Sequence, residues 1–176
     1  MLGEHLCFLY HKERGVPMTI LRYFGSYGPR QNLTWWGGPQ SVFIGCALKN
    51  KPMPIHGDGL QTRSFTYIQD TVEGTLRALE CEEAAGKVIN IGHPEEVSIL
   101  DLGKKIWKLI RGPETPQFKF ISYRQFPGRY EDVRRRVPDN RLAKEVLGFD
   151  PRISLSEGLV STVEWQRGVN KFQENG

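Results

Sequence analysis

The residues best suited to chemistry in this sequence are arginines. Arg134, Arg135 and Arg136 are consecutive, and Arg124 and Arg129 lie shortly before them. A guanidinium is planar, permanently charged and able to donate two parallel hydrogen bonds to one oxyanion group. The rest of the chain is nearly balanced, with 24 Lys+Arg against 20 Asp+Glu and a formal net charge of +4. A local basic cluster on such a background points to a small polyanion such as a diphosphate rather than to a nucleic-acid surface. A solvated arginine-rich loop is the competing reading of the same run. Cysteine chemistry is not indicated. Cys7, Cys46 and Cys81 are odd in number and widely spaced, which fits neither a disulfide framework nor a zinc knuckle and suits a reducing cytoplasm.

The elements that must position these residues alternate between strand and helix. Leu2, Leu6, Leu9 and Tyr10 recur at helical spacing, and Gly15 ends that helix. Residues 16–24 read as a buried strand, and the Gly-, Pro- and Asn-rich segment 25–40 as loop. A helix is expected over 41–50, strands at MPIHG and RSFTYI, and a helix opened by Asp70 as its cap. KVINIG reads as a buried strand, and Ser98 with Asp101 as a capping box before a further helix. FKFIS is another strand, Asp139 to Leu147 a short helix closed by Gly148, and Ser154 or Ser156 caps the last helix. Such alternation predicts an α/β fold in a single unit over 1–176. No apolar run approaches the ~20 residues that span a bilayer, and the first residues lack the pattern of a signal peptide. Nineteen glycines include no G-x-G-x-x-G, so a complete dinucleotide-binding Rossmann half is not expected.

Read in series, LRYFGSYGPRQ, GGPQSVFI, PMPIHGDGLQTRSFTYIQDTVEGTLRAL, VINIG and DVRRRVPDNRLAKEVLGFDPRISLSEGL resemble the C-terminal half of extended short-chain dehydrogenase/reductases. More narrowly they are similar to NAD-dependent nucleotide-sugar epimerases of the UDP-glucose 4-epimerase type, with dehydratases and decarboxylases as near relatives. The resemblance implies the substrate-binding part of a Rossmann-type enzyme. It matches Arg63 and Arg129 to arginines that clamp the substrate diphosphate, and Asp132 to an acid beside the nucleoside ribose. Pro54 and His56 fall where the family cradles the base, Gln40 where a helix start closes over the nucleotide, and Tyr23 and Phe24 under the nicotinamide. It further implies a UDP-sugar as the bound partner, NAD as cofactor of the complete enzyme but not of this chain alone, and a homodimer formed through the first helix. No nucleic acid or membrane partner is implied.

Two departures stand out. Gly25 occupies a position where the family usually has a substrate-touching asparagine, which implies a widened sugar site or a distinct subgroup. The family's Tyr-x-x-x-Lys pair does not occur: Tyr10 is followed four residues on by Arg14, and no other tyrosine has the lysine. By the family's spacing the pair is expected upstream of Met1, so the chain is expected to be a catalytically silent fragment lacking the dinucleotide-binding region.

Overall fold

The structure is a computed structural model that describes residues 2–125 and 132–174. Helix α1 (Leu2–Arg14) precedes strands β1 (Ile20–Tyr23) and β2 (Ser26–Tyr27), and helix α2 (Pro39–Leu48) follows. Strands β3 (Met53–His56), β4 (Thr62–Ser64) and β5 (Thr66–Tyr67) lead to helix α3 (Ile68–Glu80). Strands β6 (Val88–Ile91) and β7 (Glu96–Ser98), helix α4 (Ile99–Arg111), and strands β8 (Phe118–Ile121) and β9 (Arg135–Arg136) come next. Helices α5 (Arg141–Leu147) and α6 (Leu155–Glu174) complete the chain. The α/β expectation holds, and most strand pairs are parallel: β1 with β6, β2 with β5, β3 with β8, and β4 with β9. Strand β7 pairs antiparallel with β4 on its other side.

Two apolar clusters form the interior. The larger gathers Phe43 and Ile44 of α2, Met53 and Ile55 of β3, Leu102, Ile106 and Trp107 of α4, and Leu159 and Val163 of α6. The smaller packs Ile89 and Ile91 of β6 against Ala78 of α3, Ala143 and Leu147 of α5, and Phe149. Alternation along β3 places Met53 and Ile55 in the core and leaves Pro54 and His56 on the opposite face, where both border a cavity.

Several boundaries differ from the sequence reading. The strand expected over 16–24 contracts to β1, because Gly15 has φ 65° and Pro17 has no N–H to donate. The segment read as loop contains β2 and a 3₁₀ turn, Trp35–Gly37, whose Trp36 N–H is served by the Thr34 hydroxyl. RSFTYI splits into β4 and β5, and β7 and β9 have no counterpart in the sequence reading, since three- and two-residue strands have no period to detect. The short helix begins at Arg141, with Asp139 outside it accepting from the Arg141 backbone N–H. Ser154, not Ser156, caps the last helix: its hydroxyl accepts from Glu157 N, and the Glu157 carboxylate accepts from Ser154 N at 2.9 Å. The Ser98 cap forms as expected, accepting from Asp101 N at 3.0 Å.

Asp70 is not the cap of α3. The cap position is Tyr67, which makes no side-chain capping bond, and Asp70 lies in the first turn. Its buried carboxylate instead accepts from the backbone N–H groups of Arg152 at 3.2 Å and Ile153 at 3.0 Å. One side chain thereby ties α3 to the segment that launches α6. Asp70→Ala removes the acceptor and strands both donors, a loss of about 2–4 kcal/mol. The urea midpoint of the variant is expected to fall accordingly, and an unchanged midpoint contradicts this role.

Candidate functional site

Arg63 is the buried cation from which the site is built. It sits at the centre of β4 with its side chain 9% exposed. Nη2 donates to Asp132 Oδ1 at 2.7 Å, and Nη1 donates to the carbonyls of Thr62 and Val133, both at 2.7 Å. Asp132 Oδ1 also accepts from Val133 N at 2.8 Å. The guanidinium is therefore a strut holding the 132–136 segment against β4, with Nε–H and one Nη2–H left to donate elsewhere.

The strut sets the register of the neighbouring strand. Strand β9 pairs with β4 so that Arg135 lies beside Thr62 and Arg136 beside Arg63. With side chains alternating along each strand, Arg63 and Arg136 share one face, and Thr62, Arg135 and Glu96 share the other. Arg135 and the Thr62 hydroxyl both bond Glu96, and the hydroxyl first and Arg135 second hold that carboxyl below its usual range. Arg134 is paired with Asp58 at 2.8 Å. Arg136 has no carboxylate partner among the described residues. The arginine run thus resolves into two cations with surface partners and one facing a cleft.

That cleft consists of two adjacent cavities with a common border. The larger, about 620 Å³, is bordered by Gly25, Ser26, Arg30, Gln31, Trp36 and Gln40, among others. The smaller, about 350 Å³, is bordered by Trp35, Pro54, His56, Gln61, Arg63 and Asp132. Gly38, Pro39, Phe65 and Arg136 border both. Their junction lies at the start of α2, whose cap position is Gly38 and whose first helical residue is Pro39. Neither has a side chain that can cap the helix, so the N–H groups of its first turn point outward with the positive end of the helix dipole. An uncapped helix start beside Arg136 gives the junction backbone donors and a positive charge of the kind that suits an anion.

Of the residues singled out in the sequence, Arg63, Asp132, Pro54 and His56 meet in the smaller cavity, and Gln40 and Gly25 border the larger. Gln40 is 2% exposed, and its amide folds back towards Gly38. The His56 ring lies 4.6 Å from that of Trp35, and burial pushes its pKa down against an opposing pull from Asp132. Tyr23 and Phe24 stand apart from both cavities. The Tyr23 hydroxyl is 2.9 Å from Thr75 Oγ1, and Phe24 lends its carbonyl to the Thr66 hydroxyl. Arg129 lies outside the described residues. Sequence reasoning did not single out Trp35, Gln61 or Arg30. Arg30 carried a detectable signal only in its Gly-Pro-Arg context, where it adopts φ 69°, a strained conformation for a side chain of that size.

Gly25 has a specific structural basis. Its φ is 55°, and a Cβ there would run into the carbonyl of Ser64 and approach Phe65 Cα at 3.3 Å. The direction in which a side chain would grow is filled by backbone just before β5, so the missing side chain makes room for chain packing.

A sequence model of the GDP-mannose 4,6 dehydratase family matches residues 1–162. The chain belongs to the extended short-chain dehydrogenase/reductases that act on nucleotide sugars. It is 36% identical over 169 residues to a UDP-N-acetyl-alpha-D-glucosaminuronate decarboxylase of Bacillus cytotoxicus, covering 96% of this chain and 51% of the relative. It is 38% identical over 158 residues to UDP-glucuronic acid decarboxylase 6 of Arabidopsis thaliana, covering 90% and 43%. A solved UDP-glucuronic acid 4-epimerase of Bacillus cereus, in complex with UDP-glucuronic acid and NAD, superposes with TM-score 0.83 at 38% identity, over 95% of this chain and 50% of that one. UDP-glucose 4-epimerase of Thermotoga maritima, with UDP-glucose, gives TM-score 0.83 at 33% identity, over 95% and 51%. The chain spans about half the length of the curated relatives it matches. Among the described residues, no helix is long and apolar enough to cross a membrane.

Replacing Gly25 with the asparagine common in the family is expected to lower stability by about 1–3 kcal/mol, because the new side chain overpacks against Ser64. Chemical denaturation of Gly25→Asn measures this, and a variant as stable as the parent contradicts the packing account.

Proposed function

We propose that this chain is the sugar-nucleotide-gripping part of an NAD-dependent nucleotide-sugar enzyme, binding a UDP-sugar across the two adjacent cavities. The observation that carries the reading is the junction: an uncapped helix start and Arg136, which has no carboxylate partner among the described residues, meet at the cavities' common border. A diphosphate placed there leaves the nucleoside in the smaller cavity and the sugar in the larger. Arg63 then offers its remaining donors to the nucleoside-side phosphate, and Asp132 Oδ2 accepts from a ribose hydroxyl. Arg129 is proposed as a second phosphate ligand on the strength of the family resemblance.

The larger cavity has Arg30 and Arg136 on its border and no acidic residue among the described ones. Two cations facing a sugar favour one that carries a carboxylate, in keeping with relatives named for glucuronic acid derivatives. The reaction class proposed is 4-epimerisation. Decarboxylation of a UDP-uronic acid is the second reading, favoured by the same two arginines and by the relatives' names. The redox chemistry in the complete enzyme belongs to NAD. The described residues contain no glycine-rich strand-to-helix turn to hold a dinucleotide, so no step on this chain is assigned to the cofactor. Tyr23 and Phe24, at the end of β1, are proposed as its contribution to the nicotinamide side. Leu2, Leu6 and Leu9 of α1 are exposed, which supports a homodimer formed through that helix.

Calorimetric titration of the purified chain with UDP and UDP-glucuronic acid tests the reading. Arg136→Ala is expected to weaken both by about ten-fold or more while leaving the melting temperature unchanged, because Arg136 has no carboxylate partner to lose. Arg63→Ala is expected to weaken binding and also to lower stability, because the strut goes with it. Binding unaffected by Arg136→Ala, or none by a folded parent chain, overturns the assignment.

A further inference from the structure

Trp35 and Trp36 occupy consecutive positions on one 3₁₀ turn, yet they border different cavities: Trp35 the smaller and Trp36 the larger. Trp35 is 44% exposed, while Phe43, against whose ring it packs edge-on at 6.4 Å, is fully buried. The turn beneath it is fixed by Thr34, which caps it, and by Asn32 Oδ1, which accepts from both Thr34 N and its hydroxyl. The indole is therefore a held plate on the wall of a cavity, with one side towards His56 at 4.6 Å and a tilt of 31°.

A second feature of the same cavity is an unpartnered acceptor on its lining. Gln61 is 3% exposed, and its Nε2 donates to the His56 carbonyl at 3.0 Å and towards the Tyr123 hydroxyl at 3.3 Å. Its Oε1 is buried without a hydrogen-bond partner among the described residues. Buried acceptors in native proteins are almost always satisfied, and a ring N–H beside this wall would satisfy it.

We infer that Trp35 is the platform on which the base of the bound nucleotide stacks, paired with His56 and with Gln61 Oε1 accepting from a base N–H. This rests on the cleft being a nucleoside-diphosphate site. A flat π-face recognises any base by stacking, and the lone acceptor favours one with a ring N–H, as in uracil, thymine or guanine, over cytosine or adenine. Trp35 thus sets nucleotide affinity without touching the phosphates.

The test is titration of the full 176-residue chain and its Trp35→Ala and Trp35→Phe variants with UDP and with inorganic pyrophosphate. Trp35→Ala is expected to weaken UDP by roughly ten- to a hundred-fold and to leave pyrophosphate unchanged, with Trp35→Phe restoring most of the UDP affinity. UDP bound equally well by Trp35→Ala overturns the platform while leaving the diphosphate site standing. Loss of pyrophosphate together with UDP in that variant also overturns it, since the tryptophan would then act through the fold. A parent chain that binds neither ligand removes the diphosphate site itself, and the platform with it.

Discussion

The cleft depends on one buried guanidinium. Arg63 spends three of its five N–H groups on Asp132, the Val133 carbonyl and the Thr62 carbonyl, all at 2.7 Å. A charge this deep is tolerated only when paired and hydrogen-bonded, and Asp132 supplies both conditions. The consequence extends beyond the pair. Because the 132–136 segment is fastened to β4, β9 takes a register in which Arg136 stands beside Arg63, and the arginine run is sorted by strand alternation into cleft-facing and outward members. An arginine that the family resemblance assigns to phosphate binding here holds its own neighbouring strand segment in place.

The second organising element is the start of α2. Gly38, at φ 88°, lets the chain turn sharply into the helix, and Pro39 provides a preset first residue without an N–H. The result is a helix start with no side-chain cap, at the border shared by the two cavities. Phosphate oxygens can satisfy such a terminus and Arg136 together, so in the proposed complex the junction, rather than either cavity, sets the orientation of the sugar nucleotide.

Much of the architecture was legible in the sequence because long periodic segments report their own packing. Helix α4, with its Ser98 cap, and the apolar alternation of β3 are examples. Arg63, Asp132, Pro54 and His56 could be grouped only through family resemblance, because residues from β3, β4 and the 132–136 segment converge across the fold with no local pattern. What escaped detection was short or non-local. Strands β7 and β9 are too brief for a period, although β9 sorts the arginines. Asp70 looked like a cap because aspartate near a helix start usually is one, but its carboxylate is claimed by backbone 82 residues away. Gly25 implies a widened sugar site or a distinct subgroup by resemblance; the sequence could not show that its vacant Cβ position faces the backbone of Ser64 while the residue borders the larger cavity.

The central claim is that a diphosphate sits at the start of α2 beside Arg136. Amide chemical-shift mapping of the ¹⁵N-labelled chain during titration with UDP measures it most directly. The account predicts that the largest shifts fall on the backbone amides of Gln40 and Ser41 and on Arg136, saturating together. Saturable shifts confined to other elements, with the α2 start unmoved, would contradict it.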